Sequence, residues 1–390
     1  MNLVAIRRHL HAHPELGWAE HATTAYVEGL LRELGLASTR LPGGVGLICD
    51  IQPAPAGGDI QPAPAGRPEL PHRTLLLRAD LDALPLDEAT GLPYASTVPG
   101  VCHACGHDVH TAVLVGVATA LAQHPPAGGR VRLLFQAAEE LTPGGALSAI
   151  GAGALDGVDL ALALHCDPAL DVGHVGLRVG PITAAADHVE IELTGPGGHT
   201  SRPQNTVDLV FALAAVITGV PAALSRRVDP RAALSLVWGA VSAGTAANAV
   251  PRRGVARGTV RTLDRRAWEQ APALITELAQ GIGAAYGATV DVRYLRGVPP
   301  VVNDQVAVAL LEAAASLVLG PEGVVDTPQS LGGEDFGWVG EKVPAAMARL
   351  GTRTPGGRTH DLHQAAFDVD EKCLAVGVGL LTEAARSYLA

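Results

Sequence analysis

The stretch His103-Ala-Cys-Gly-His-Asp-Val-His110 puts three histidines, a cysteine and an aspartate within eight residues. Such a density suits metal ligation, thiol redox chemistry or the capping of a following helix. Further acids and a histidine stand at the ends of apolar runs: Asp80-Leu-Asp82 after Leu75-Leu-Leu-Arg-Ala, Glu139-Glu140 after Val131-Arg-Leu-Leu-Phe, and His165 after Leu160-Ala-Leu-Ala-Leu. Taken singly, each has an ordinary reading. Asp80 and Asp82 would be solvated carboxylates or helix caps, Glu139-Glu140 a solvated pair, and His165 a satisfied core histidine. Recurrence at three successive run ends weakens all of these together and favours a metal site assembled from distant sequence.

The spacing has chemical content. Cys105 and His107 are two apart, which is poor for one helix face but workable in a turn, where Gly106 relaxes the backbone. Adjacent glutamates point in different directions, so one can hold a metal while its neighbour addresses a water, as hydrolytic metal sites require. Cys102-His-Ala-Cys105 also satisfies C-x-x-C and precedes a helix, the setting of a thiol oxidoreductase. A structural zinc site would want a second ligand pair, which Cys49, Cys166 and Cys373 do not supply. Neither rival explains the acidic run ends. Asp108 reads as the N-cap of the following helix and Cys102 as a bystander, while His103 and His110 have no assigned place.

Residues so far apart need a scaffold that gathers them. The three apolar runs read as strands buried on both faces, with Thr111 to Gln123 a buried helix, Ala345 to Leu350 a further strand and Glu371 to Tyr388 a closing helix. In such an open α/β sheet ligands gather at the carboxyl ends of the strands. The middle of the chain differs. Val189-Glu-Ile-Glu-Leu alternates as a one-face-wet strand does; Val207 to Leu224 follows as a helix, Ala233 to Ala243 and Gly254 to Thr262 as strands, Arg265 to Tyr286 as a helix and Ala288 to Leu295 as a strand. That order is the β-α-β-β-α-β unit of ferredoxin-like folds. The expected fold is therefore an α/β catalytic domain with a mixed or parallel sheet, residues 1–179 and 299–390, carrying an inserted ferredoxin-like α+β domain at 180–298. The tandem Asp50-Ile-Gln-Pro-Ala-Pro-Ala-Gly-Gly and Asp59-Ile-Gln-Pro-Ala-Pro-Ala-Gly reads as an expanded surface loop.

Bulk composition agrees. A chain of 390 residues suits two domains, and 48% hydrophobic with 17% charged residues is globular. A formal charge of −11 offers no electrostatic reason to bind nucleic acid or an anionic membrane. The N-terminus lacks a secretory apolar run, and the apolar segment Val210 to Ala223 falls short of the ~18 residues of a membrane span, so the expectation is a soluble, cytoplasmic protein. Five cysteines are too few and of odd number for a disulfide framework.

The ordered motifs LHAHPELGWAE (10–20), RADLDALPLDE (78–88), HACGHDVHTA (103–112), FQAAEE (135–140), LALHCDP (162–168), GPGGHTSRP (195–203), ANAVP (247–251), GTVRT (258–262), GGEDFG (332–337) and HDLHQAAF (360–367) resemble the M20 metallopeptidases, in the amidohydrolase branch of hippurate, N-acyl-amino-acid and auxin-conjugate hydrolases. The resemblance implies two divalent ions, zinc or manganese with cobalt or nickel as alternatives, held by Cys105, His107, Glu140, His165 and His363, with Cys105 bridging where other branches use Asp. It implies Glu139 as general base and Asp82 as the carboxylate orienting His107. Asp80 stands where other branches carry a ligand histidine and is not assigned to metal. His199 matches a histidine presented to the reacting carbonyl, typically across a dimer, and Asn248 and Arg261 match positions near the substrate carboxylate. Ser201-Arg202-Pro203 departs from the small residues usual before that proline. The implied protein is a homodimer, or a larger homo-oligomer, that cleaves N-acyl amino acids. An M20 dipeptidase or N-acetyl-diaminopimelate-type deacetylase is the nearest rival, a C-x-x-C oxidoreductase the rival of another class, and a catalytically silent binder a third.

Overall fold

The computed structural model describes residues 1–53 and 73–390, and most of the tandem Pro-Ala repeat expected as a surface loop lies outside them. The chain divides into two compact units, Met1–Gly180 with Val301–Pro328 and Asp335–Ala390, and Pro181–Pro300 with Gln329–Glu334.

The first unit is built on a mixed sheet. Its central strands Gly129–Gln136, Arg73–Asp80, Leu160–Asp171 and Ala345–Arg353 lie side by side in that order and run parallel. Leu47–Ile51 and Ser38–Arg40 extend one edge antiparallel, and Val175–Leu177 and Val324–Asp326 extend the other. The sequence explains the centre. From Thr74 to Asp80 every residue is buried, as a strand covered on both faces requires. The helices Leu3–Ala12, His107–Gln123, Cys373–Tyr388 and Gln305–Leu319 pack in series and share one apolar core with the sheet.

Several boundaries differ from expectation, and two of the differences bear on the site. The strand begun at Leu160 continues through Pro168 to Asp171, because its second half pairs with the end of Ala345–Arg353. The helix expected from Thr111 begins at His107, so Asp108 lies inside its first turn and is not the N-cap, a position held by Gly106. The Asp108 carboxylate is taken instead by Arg7 at 2.7 Å and His11 at 2.9 Å, all three buried. Against the upward push of burial, Arg7 and His11 hold that carboxyl well below its usual range.

The second unit carries a four-stranded antiparallel sheet in the order Ser235–Ala243, Arg253–Thr262, Ala185–Thr194, Thr289–Val298. Its helices Leu209–Arg227 and Arg265–Ala285 are capped by Asp208 and Asp264, which accept from Phe211 N and Ala267 N. Each lays an apolar stripe on the sheet: Leu209, Ala212, Leu213, Val216, Val220 and Leu224 from one, Ala271, Ile275 and Ala279 from the other. Element order and strand order are those of a ferredoxin-like unit. The helix Leu209–Arg227 has 19 residues and a mean hydropathy of 1.8, so by length and composition it could cross a membrane, contrary to the shorter segment expected. A third of that apolar window is buried, as the stripe laid on the sheet, while Val210 and Phe211 are exposed.

Candidate metal centre

The carboxyl ends of the parallel strands bring together the groups that the sequence leaves scattered. The Cys105–His107 turn comes first. Gly106 has φ +90°, and a Cβ there would stand 2.6 Å from Cys166 Sγ, so only glycine fits. The turn lets Cys105 Sγ lie 3.7 Å from His165 Nε2 while His107 opens the helix.

His107 is fully buried. Its Nδ1 faces Asp82 Oδ1 at 3.4 Å, and its Nε2 lies 3.9 Å from both Glu139 Oε2 and Glu140 Oε1. Neither ring nitrogen has a hydrogen-bond partner among the described residues, which is costly for a buried imidazole. Burial alone would lower its pKa, but Asp80, Asp82 and Glu140 outweigh it and hold the ring up to about 10.

The glutamates are set by two carboxylates from elsewhere. Asp82 accepts the backbone N–H of Glu139 at 3.0 Å and of Glu140 at 2.9 Å, and Glu20 accepts that of Ala138 at 2.7 Å. Ala138 has φ +56°, so this turn is held in a conformation that alanine rarely adopts. Glu140 Oε1 lies 3.2 Å from His363 Nε2. His363 itself has φ +62° and is fastened by its N–H to Ala104 O at 2.7 Å, next to Cys105. His165 donates Nδ1–H to the Cys166 carbonyl at 2.8 Å, leaving the Nε2 lone pair toward Cys105.

Five trios of potential ligand atoms occur among the described residues, including Asp80 with His107 and His110, and two of them share a thiol: Cys105 with His107 and His165, and Cys105 with Glu140 and His363, each within 4.8 Å of one another. Cys105 belongs to both. Burial and the neighbouring Glu140 and Glu139 push its thiol well above the usual range, so its thiolate needs a cation at hand. The orphaned His107 Nε2, the buried thiol shared by two trios and the mixed N, S and O donors fit a pair of divalent ions.

Cys102 makes a poor redox thiol. It is buried in an isolated bridge with Leu84, and burial pushes its thiol up to about 11, opposite to what a reactive dithiol needs. His103 is buried with neither ring nitrogen bonded among the described residues, and burial pushes it down to about 4. Asp80, which the sequence kept apart from the metal, bonds His110 and Arg78 at 2.6 Å each. That pairing, and the holding of Ala138 by Glu20, went unread in the sequence. The nearest available signal for His110 was its place three residues past His107, one turn along the same helix.

His199, Asn248 and Arg261 belong to the second unit. His199 lies on Gly198–His199, which pairs with Ala249–Val250, and its exposed ring accepts at Nδ1 from the N–H of Ser201 at 3.1 Å. That acceptance leaves the proton on Nε2, so the ring is a ready donor, and the Ser201 hydroxyl also reaches the same Nδ1, at 2.8 Å. Asn248 is exposed and accepts Thr200 N at its backbone carbonyl, while Arg261 Nη1 donates to Leu331 O.

Residues 76–387 match the family model described as peptidase family M20/M25/M40. The chain is 48% identical over 384 residues to a Rhodococcus jostii protein named putative glutamate–cysteine ligase 2-3, covering 98% of this chain but only 46% of that one. It thus spans about half the length of that relative. To a Bacillus subtilis protein named N-acetyl-L-cysteine deacetylase it is 37% identical, over 99% of this chain and 88% of the relative. The solved structure of a Bacillus subtilis protein described as a dinuclear metal binding peptidase from the M20 family superposes with a TM-score of 0.83 at 34% identity, over 99% of this chain and 97% of that one.

Proposed function

The chain belongs to peptidase family M20/M25/M40, and from that membership we propose that it is a dinuclear metal-dependent amidohydrolase cleaving N-acyl amino acids to a carboxylate and a free amino acid. The observation that carries this reading is Cys105, shared between the trios completed by His107 and His165 and by Glu140 and His363. When bound there, two zinc or manganese ions would polarise the scissile carbonyl and make water a better nucleophile.

The chain's own residues do the rest. Glu139, held by its backbone N–H on Asp82, takes a proton from the attacking water and returns it to the departing amine nitrogen. Asp82 fixes both glutamates and faces His107 Nδ1, turning His107 Nε2 toward the cluster. We assign to His199 of a second copy the donation of its Nε2–H to the carbonyl oxygen as charge develops there. Asn248 and Arg261 recognise the substrate carboxylate, the arginine supplying the cation that an acidic protein lacks overall. In this reading the protein is a cytoplasmic homodimer, with Pro181–Pro300 as its dimerisation and lid domain. The relative named for deacetylating N-acetyl-L-cysteine supports the substrate class.

The test is a hydrolysis screen of N-acetyl, N-benzoyl and longer N-acyl amino acids with protein reconstituted in zinc, manganese or cobalt. Glu139→Gln is expected to keep its metal content and lose roughly a hundred- to ten-thousand-fold in kcat. Retained turnover in that variant would remove Glu139 from the proton transfer, and no hydrolysis of any N-acyl amino acid would overturn the substrate class.

A further inference from the structure

His110 and Asp80 are buried beside the centre, yet neither has a task in the chemistry above. His110 Nδ1 lies 2.6 Å from Asp80 Oδ1, and its Nε2 accepts the backbone N–H of Cys166 at 2.9 Å. A backbone N–H can only donate, so Nε2 must hold a lone pair and the single ring proton rests on Nδ1, donated to Asp80. The other Asp80 oxygen accepts from Arg78 at 2.6 Å. Arg78, equally buried, also donates to Gln136 at 3.1 Å and Asp335 at 2.7 Å, so the carboxylate that sets the His110 tautomer is itself anchored across two strands and a loop. The same Cys166 accepts, at its carbonyl, the Nδ1–H of His165.

Resting on the metal reading of the site, we infer that His110 is a positioning residue for the centre. Asp80 sets its tautomer, it grips the Cys166 N–H, and through that one residue it fixes the rotamer and tautomer in which His165 presents Nε2. The packing leaves this link little slack. Cys166 Sγ lies where a Cβ on Gly106 would come within 2.6 Å, so Cys166 is held between the Cys105–His107 turn and His110. The His110 and His165 rings stand 5.1 Å apart between centroids. One device thus ties the turn carrying Cys105 and His107 to the middle of the strand Leu160–Asp171, where His165 stands.

The requirement is for an acceptor at the Nε2 position, and that makes it separable from a general need for something polar beside Asp80. Glutamine places its carboxamide near Nε2, while asparagine places its own near Nδ1. The experiment titrates the full-length apo chain with Co2+, reading affinity and the visible absorption of the bound ion for His110→Gln, His110→Asn, His110→Phe and His165→Ala. His110→Asn and His110→Phe are expected to lose roughly 10–100-fold in Co2+ affinity with an altered spectrum, and His110→Gln to stay close to the parent. Should the phenylalanine variant not fold, the asparagine and glutamine pair carries the comparison.

Equal affinity in the glutamine and asparagine variants, or asparagine ahead of glutamine, overturns the inference, because that is the order expected if His110 only satisfies Asp80. The histidine ligand is the control on the underlying reading. If His165→Ala binds Co2+ as the parent does, the metal assignment of His165 fails and the inference with it. If His165→Ala loses an ion while His110→Asn does not, the inference alone fails.

Discussion

Asp82 and Glu20 shape the Glu139-Glu140 turn from two directions, one through the amides of the glutamates and the other through Ala138 N. Glu20 is wholly buried, and its second oxygen has no hydrogen-bond partner among the described residues. Burial, with help from Asp82 and Glu15, pushes its carboxyl from 4.5 up to about 7 in spite of the Ala138 bond. A raised folded pKa means that folding favours the protonated form. Its contribution is complete below about pH 4.5 and is lost as pH rises through about 7. Urea midpoints should therefore fall between pH 5 and pH 8. Glu20→Gln, which keeps an acceptor for Ala138, should flatten that fall and be more stable at pH 8 by about 1–3 kcal/mol. Parallel pH dependences for the two proteins would show that Glu20 is ionised at no such cost. The residue types of the centre were legible beforehand, since Cys105, His107, Glu139, Glu140 and His165 all follow or precede apolar runs. Glu20 was not, because its partner Ala138 is 118 positions away and only packing joins them.

The turn before the helix His107–Gln123 shows what an element contributes that its residues do not. Gly106→Ala would force a left-handed φ on alanine and drive its Cβ into Cys166 Sγ. The expected cost is about 2–4 kcal/mol of unfolding free energy together with weaker metal binding, since the turn and the strand segment His165-Cys166 would be pushed apart. Chemical denaturation beside a Co2+ titration checks both, and an unchanged stability would contradict the close approach. The role of Gly106 as the shared turn was readable from spacing. That the helix begins at His107, with Asp108 buried against Arg7 and His11, was not. An aspartate ahead of an apolar run has the same local signature whether it caps the helix or meets a cation from the N-terminal helix Leu3–Ala12.

Pro181–Pro300 has its own antiparallel sheet, two helices and a separate apolar core. A fragment of residues 181–300 should therefore unfold cooperatively in urea, followed by the fluorescence of Trp238 and Trp268, of which Trp268 is buried. A featureless, non-cooperative response would mean that this core depends on the rest of the chain. The β-α-β-β-α-β order of this unit was legible because alternating and helical periodicities change at clear turn signals. The added segment Gln329–Glu334, where Ser330 bridges Thr183 and Leu331 O accepts from Arg261, carries no periodic pattern. Nothing local could have shown that it returns to that unit.

The sequence by itself determined the family, the α/β and ferredoxin-like patterns and the residue types able to hold metal, because motif order and hydrophobic period are properties of neighbouring positions. Tertiary structure decided which atoms face one another: that Cys105 completes two trios, that Asp80 is paired with Arg78 and His110, and that Cys166 links His110 to His165. Those pairings are set by buried polar groups seeking partners wherever the packed strands bring them, and a chain read in order carries no record of that proximity.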